Sequence, residues 1–76
     1  MFHGEQQVPI DTPFIKLDSL LKLSGLCMTG GEAKIRIADG QVLVNGAVCT
    51  QRGRKIVPGD KVECSGQLLA VTRHAP

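Results

Sequence analysis

Seventy-six residues make one small domain, large enough for a single modest core and too small for a separate catalytic unit. A net charge of +2 identifies no partner by itself, and Phe2 and Phe14 are the only aromatics, so aliphatic side chains must build the core almost alone. The expectation is therefore against base stacking on surface aromatics.

Residues 1–13, with Pro9 and Pro13, read as an arm with at most a short extended segment, because proline discourages helix just before it. A single domain is expected over 14–72, followed by a short tail, 73–76. From Leu17 the pattern changes: Leu17, Leu20, Leu21 and Ser24 recur at spacings of three and four, the face of a short amphipathic helix. Asp18 and Ser19 suit its first turn and Gly25 its end. The segment "TGGE", Thr29 to Glu32, has the capping-box form, which predicts a second helix from Gly30 to about Asp39, stopped at Gly40. Ala33 and Ile37 point one way along it, Ile35 lies nearly opposite, and Arg36 falls one turn after Glu32, where an ion pair is natural.

After Gly40 the period becomes two. "QVLVNGAVCT" puts Val42 and Val44 on one face, then Asn45-Gly46 as a hairpin turn, then Val48 and Thr50 on the returning strand. "IVPGDKVEC" repeats that logic, with Pro58-Gly59 as the turn between Ile56-Val57 and Val62-Cys64. A last strand, "QLLAVT", follows Ser65-Gly66. The fold class is α+β: two short helices packed on a small, mostly antiparallel sheet.

Charge is unevenly spread along this chain. No acid lies between Asp39 and Asp60, a window that holds Arg52, Arg54 and Lys55, whereas the first eighteen residues carry Glu5, Asp11 and Asp18 against Lys16 alone. Such a basic face on a nearly neutral domain is the footprint of a phosphate-binding surface. Cys27, Cys49 and Cys64 include no close pair that forms half of a zinc site; their odd number points to a reducing cytoplasm, and Cys49 and Cys64, in apolar strand-like contexts, read as buried small hydrophobes. The opening "MFHGEQQVPI" lacks the pattern of a secretory leader, and no run reaches membrane-span length.

The order of these pieces resembles the S4-like RNA-binding domain family, first recognised in the fourth protein of the small ribosomal subunit and also called the alpha-L motif. The carriers are the leucine helix ending in Gly25-Leu26, the Glu32-Ala33-Lys34 start of the second helix, Gly40, "VLVNG" from Val42 to Gly46, and "VPGD" from Val57 to Asp60. Within that family the chain is most similar to small stand-alone bacterial proteins of the YbcJ type. The resemblance implies a helix pair and β-loop whose basic face grips structured RNA, often ribosomal or transfer RNA, with no cofactor and as a monomer. It implies contacts at Lys34, Arg52, Arg54 and Lys55, with Lys22 and Lys61 as weaker candidates. Gly30 and Gly31 stand where the family often has a basic residue, so their backbone N–H groups are candidates to meet a phosphate instead.

Two other classes compete with RNA binding. A ubiquitin-like sulfur carrier would use a C-terminal Gly-Gly, but this chain ends "TRHAP". A protein-interaction module without nucleic acid remains the main alternative. Catalysis is not expected, because no cysteine or serine has a base at a suitable spacing and His3 and His74 stand at opposite ends.

Overall fold

The computed structural model describes residues 4–74. In chain order the elements are β1 (Gly4–Ile10), β2 (Ile15–Lys16), α1 (Leu17–Leu23), α2 (Gly30–Ala38), β3 (Val42–Val44), β4 (Ala47–Val48), β5 (Lys55–Ile56), β6 (Lys61–Cys64) and β7 (Gln67–Arg73). The helices start and stop for local reasons. Thr29 caps α2, its hydroxyl accepting from the Glu32 backbone at 3.1 Å, while the Glu32 carboxylate reaches back to the Met28 N–H at 3.4 Å. That is one residue earlier than a reciprocal capping box requires. At the other end Gly40, with φ of 75°, closes a Schellman motif through bonds from Gly40 and Gln41 to the carbonyls of Ile37 and Arg36.

A five-stranded sheet runs in the order β1-β7-β6-β3-β4, and β2 and β5 form a separate two-stranded ladder. All neighbours in the larger sheet are antiparallel except β1 and β7, which are parallel. Side chains alternate between faces along each strand. One face contributes Val8, Ile10, Val42, Val44, Val62, Cys64, Leu69 and Val71 to the core, where they join Leu17, Leu20 and Leu21 of α1 and Ala33 and Ile37 of α2. The buried set contains no polar or charged residue. One side chain ties α2 both to itself and to a turn of the sheet: Arg36 pairs with Glu32 at 3.4 Å and also donates to the Ser65 hydroxyl in the β6–β7 turn.

Three expectations need correction. Residues 4–10 are no arm: β1 pairs along its whole length with β7, and Val8 and Ile10 are buried. Pro9 is tolerated because β1 is an edge strand with only one paired side. The segment after β7 is also tied in, since the His74 N–H donates to the Ile10 carbonyl at 2.8 Å, so the tail begins inside the sheet. Second, Pro58-Gly59 forms a turn, closed by Asp60 N–H to Val57 C=O at 3.0 Å, but it joins no hairpin. The strand before it, β5, pairs with β2, and the strand after it, β6, pairs with β3 and β7. Third, the strand returning from Asn45-Gly46 ends at Val48, short of Thr50.

If β1 belongs to the cooperative unit, Ile10→Ala costs about 2–5 kcal/mol of stability, as a large-to-small core change does. Exposed Gln7→Ala stays within about ±0.5 kcal/mol. Urea unfolding of both variants checks this, because a detached arm leaves both silent.

Candidate nucleic-acid interface

Helix α1 has an unusual start. Its N-cap, Lys16, offers no side-chain acceptor, although the first N–H groups of a helix need partners. The loop before β5 supplies them: the Leu17 N–H donates to the Arg54 carbonyl at 2.9 Å and the Asp18 N–H to the Arg52 carbonyl at 3.1 Å. The loop holds its own shape through a turn in which the Arg54 N–H donates to the Gln51 carbonyl at 3.1 Å, with Arg52 and Gly53 at its tip. The backbone meets the helix, and the side chains stay in solvent. Every residue from Thr50 to Lys55 is exposed.

The β2–β5 ladder extends this surface. Ile15 pairs with Ile56, which is fully buried, and Lys16 pairs directly with Lys55. Like charges placed opposite each other destabilise a ladder. Part of that cost is offset by Phe14, whose ring centroid lies 4.8 Å from the Lys55 ammonium. Among the described residues Arg36–Glu32 is the one ion pair, so Lys16, Arg52, Arg54 and Lys55 have no carboxylate within 4.0 Å. They form a positively charged cluster around the N-terminal end of α1, an end whose own dipole is positive.

The remaining expected residues stand elsewhere. Lys22 is exposed in the last turn of α1, five residues beyond the loop contact, roughly 7.5 Å along the axis. Lys34 is exposed in the middle of α2, next to buried Ala33. Gly30 and Gly31 open α2, and neither needs glycine for room: a Cβ at Gly30 meets nothing within 4 Å, and one at Gly31 meets Thr29 Oγ1 at 3.9 Å. Lys61 is exposed at the start of β6, where its backbone exchanges bonds with Asn45, 2.7 Å from Asn45 N–H and 2.9 Å to Asn45 Oδ1.

Asn45 and Asp60 are structural. Asn45 and Gly46 both have positive φ, 51° and 86°, as the hairpin turn requires. The Asn45 side chain donates to Asp60 Oδ1 at 3.1 Å, and Asp60 Oδ2 accepts from the Val57 N–H at 3.0 Å. One carboxylate thus locks the two turns flanking the basic loop. All three cysteines are buried and free, and burial, reinforced by the Glu32 carboxylate, pushes the Cys27 thiol above its ordinary pKa.

The chain that carries this arrangement is similar to known proteins in sequence and in fold. The pattern that defines the S4 domain covers residues 8–72. The chain belongs to the S4 domain family. YbcJ of Escherichia coli (strain K12) is 48% identical over 59 residues, 78% of this chain and 84% of YbcJ. RlbA of Bacillus subtilis (strain 168), named a probable ribosome maturation protein, is 42% identical over 59 residues, 78% of this chain and 83% of RlbA. The solution structure of Escherichia coli YbcJ, described as revealing an alphaL motif involved in RNA-binding, matches with a TM-score of 0.65 at 41% identity, over 90% of this chain and 85% of that one. The fold is therefore the S4-type α+β arrangement, not that of a ubiquitin-like carrier.

Lys16 is the residue that sequence reasoning missed. It was visible only as one cation among three acids, and its role depends on β2 meeting β5, a pairing 40 residues apart in the register Lys16 to Lys55 (39) and Ile15 to Ile56 (41). Phe14 and Lys16 flanking an apolar Ile15 was the available signal, a period of two too short to stand out.

Asp60→Ala removes both turn locks and costs about 1–2 kcal/mol, the range for hydrogen bonds to a charged group near solvent. Glu5→Ala, exposed and without such bonds, serves as the control within about ±0.5 kcal/mol. Thermal or urea melts of the pair distinguish a structural Asp60 from a decorative one.

Proposed function

We propose that this protein is a non-catalytic binder of structured RNA, working in the cytoplasm as a monomer, and that Arg52, Arg54, Lys55 and Lys16 grip the phosphate backbone. The observation that carries this reading is a cluster of exposed cations that have no carboxylate partner among the described residues, on and beside a loop whose backbone is bonded to α1 at 2.9 and 3.1 Å. Phosphates are held through Arg and Lys, with Arg offering a planar two-pronged donor and Lys a point charge. A fixed loop presents those charges with little further ordering cost.

In this reading Lys34 and Lys22 on the helix pair and the backbone N–H groups at Gly30 and Gly31 make further contacts, and Lys61, next to inward-facing Val62 on β6, makes at most a peripheral one. The description of YbcJ as RNA-binding supports RNA as the ligand, and the name of RlbA supports a ribosomal particle as its setting, ahead of transfer RNA. Folded RNA is preferred over open strands, because Phe14 is the one aromatic among the described residues and rows of unstacked bases need several.

A salt titration of RNA binding tests the proposal. Each phosphate contact contributes a slope of about −0.7 to −0.9 in log affinity against log salt, so Arg52, Arg54 and Lys55 together give about −2 to −3. Arg52→Ala, Arg54→Ala and Lys55→Ala each flatten the slope by about one unit and weaken all RNA targets to a similar degree. Melting changes by no more than about 0.5 kcal/mol, since an exposed side chain is removed and the backbone bonds remain. Unchanged slopes in all three variants refute the assignment, and tighter binding of a matched unstructured oligonucleotide refutes the preference for folded RNA.

A further inference from the structure

We propose that Phe14 is a stacking platform for one unpaired base of the bound RNA, a bulged nucleotide in an otherwise paired stem, with Lys16 and Lys55 holding the phosphates beside it. This deepens the RNA-binding reading and rests on it.

The geometry begins with alternation. Ile15 turns inward against the core, so Phe14 and Lys16 on either side of it turn outward. Phe14 is 36% exposed and Val57 43%, and continuing the register of Ile15 with Ile56 sets Val57 opposite Phe14. The outer face of the small ladder is thus an apolar pair beside a cation pair. Its backbone is braced, because the Thr12 hydroxyl donates to the Phe14 carbonyl at 2.8 Å. A flat ring next to charges that seek phosphate is the pairing of features that holds an unstacked nucleotide.

Lys55 explains how the ring stays available. Its ammonium lies 4.8 Å from the ring centroid, and both Lys55 and Phe14 are exposed, so the ring face is reached from solvent once the ammonium moves. When a phosphate draws the ammonium aside, a base takes its place. Stacking on an aromatic is stronger than a solvent-exposed cation–π contact, so the exchange runs toward the complex. It also relieves the Lys16–Lys55 repulsion. One ring accommodates one base, which selects a bulge in folded RNA rather than an open strand.

The experiment compares two RNA hairpins that differ by a single bulged nucleotide, titrated in matched salt with the parent, Phe14→Leu and Phe14→Trp. Phe14→Leu keeps apolar cover but loses the flat face. It is expected to lose about 5- to 150-fold in affinity for the bulged hairpin and to stay within about twofold on the perfect one. The chain contains no Trp, so Phe14→Trp places a lone reporter at the site. Its emission should be quenched by the bulged hairpin and not by the perfect one, with affinity retained. A loss equal on both RNAs, no loss at all, or an unresponsive Trp overturns the stacking role while salt-dependent binding leaves the RNA reading intact. If the parent binds neither hairpin at low salt, both readings fall together. Thermal melts of the variants separate loss of binding from loss of fold, and the Trp signal decides the matter should Phe14→Leu unfold.

Discussion

The first two N–H groups of α1 find their partners outside the helix, in the carbonyls of Arg54 and Arg52. Buried or half-buried helix ends without acceptors are costly, and α1, at seven residues, is too short to persist without tertiary support. The cation-bearing loop is therefore part of the helix's structure. That one arrangement does two things at once. It completes α1, whose Leu17, Leu20 and Leu21 are fully buried, and it holds Arg52 and Arg54 in place with their side chains exposed.

Electrostatics follows from the same constraint. The buried set is wholly apolar, so every charge is left at the surface, where sequence position decides its neighbours. The acids closest to the basic loop are already engaged in local bonds: Asp18 accepts from the Ser19 N–H at 2.8 Å, and Asp60 holds Val57 and Asn45. Around the start of α1 four cations, Lys16, Arg52, Arg54 and Lys55, outnumber the single carboxylate of Asp18, and they include a Lys16–Lys55 pair that local stability alone does not favour. A domain with few interactions to spare retains such a pair at a cost, which an anionic ligand removes.

Local chemistry made much of this legible from the chain alone. The leucine spacing located α1, Thr29 and Gly40 bounded α2, and Asn45-Gly46 set the β3–β4 hairpin, since each signal acts within a few residues. The S4-like order of motifs supplied the fold. What was not legible is long-range pairing. Gly4–Ile10 lacks clean alternation because its β1 residues from Glu5 to Gln7 are exposed at a sheet edge, and its partner β7 lies at the far end of the chain. Likewise nothing in "IVPGDKVEC" reveals that the strand before the turn leaves for β2.

Those two unforeseen pairings act on the interface from opposite sides. The parallel β1–β7 pair extends the sheet to its β1 edge and fixes where the chain leaves it, at Ile10, whose carbonyl is bonded to His74. From Ile10 only four residues separate the sheet from Ile15, so β2 has little freedom to wander from β5. The departure of β5 from β6 frees its outward side chains from any further strand, leaving Lys55 exposed above Phe14. Had Pro58-Gly59 joined a true hairpin, β5 would have been drawn into the larger sheet and the loop carbonyls pulled away from α1. The break in the hairpin logic is what lets a small sheet domain hold a helix start, a cation cluster and an exposed ring in one place.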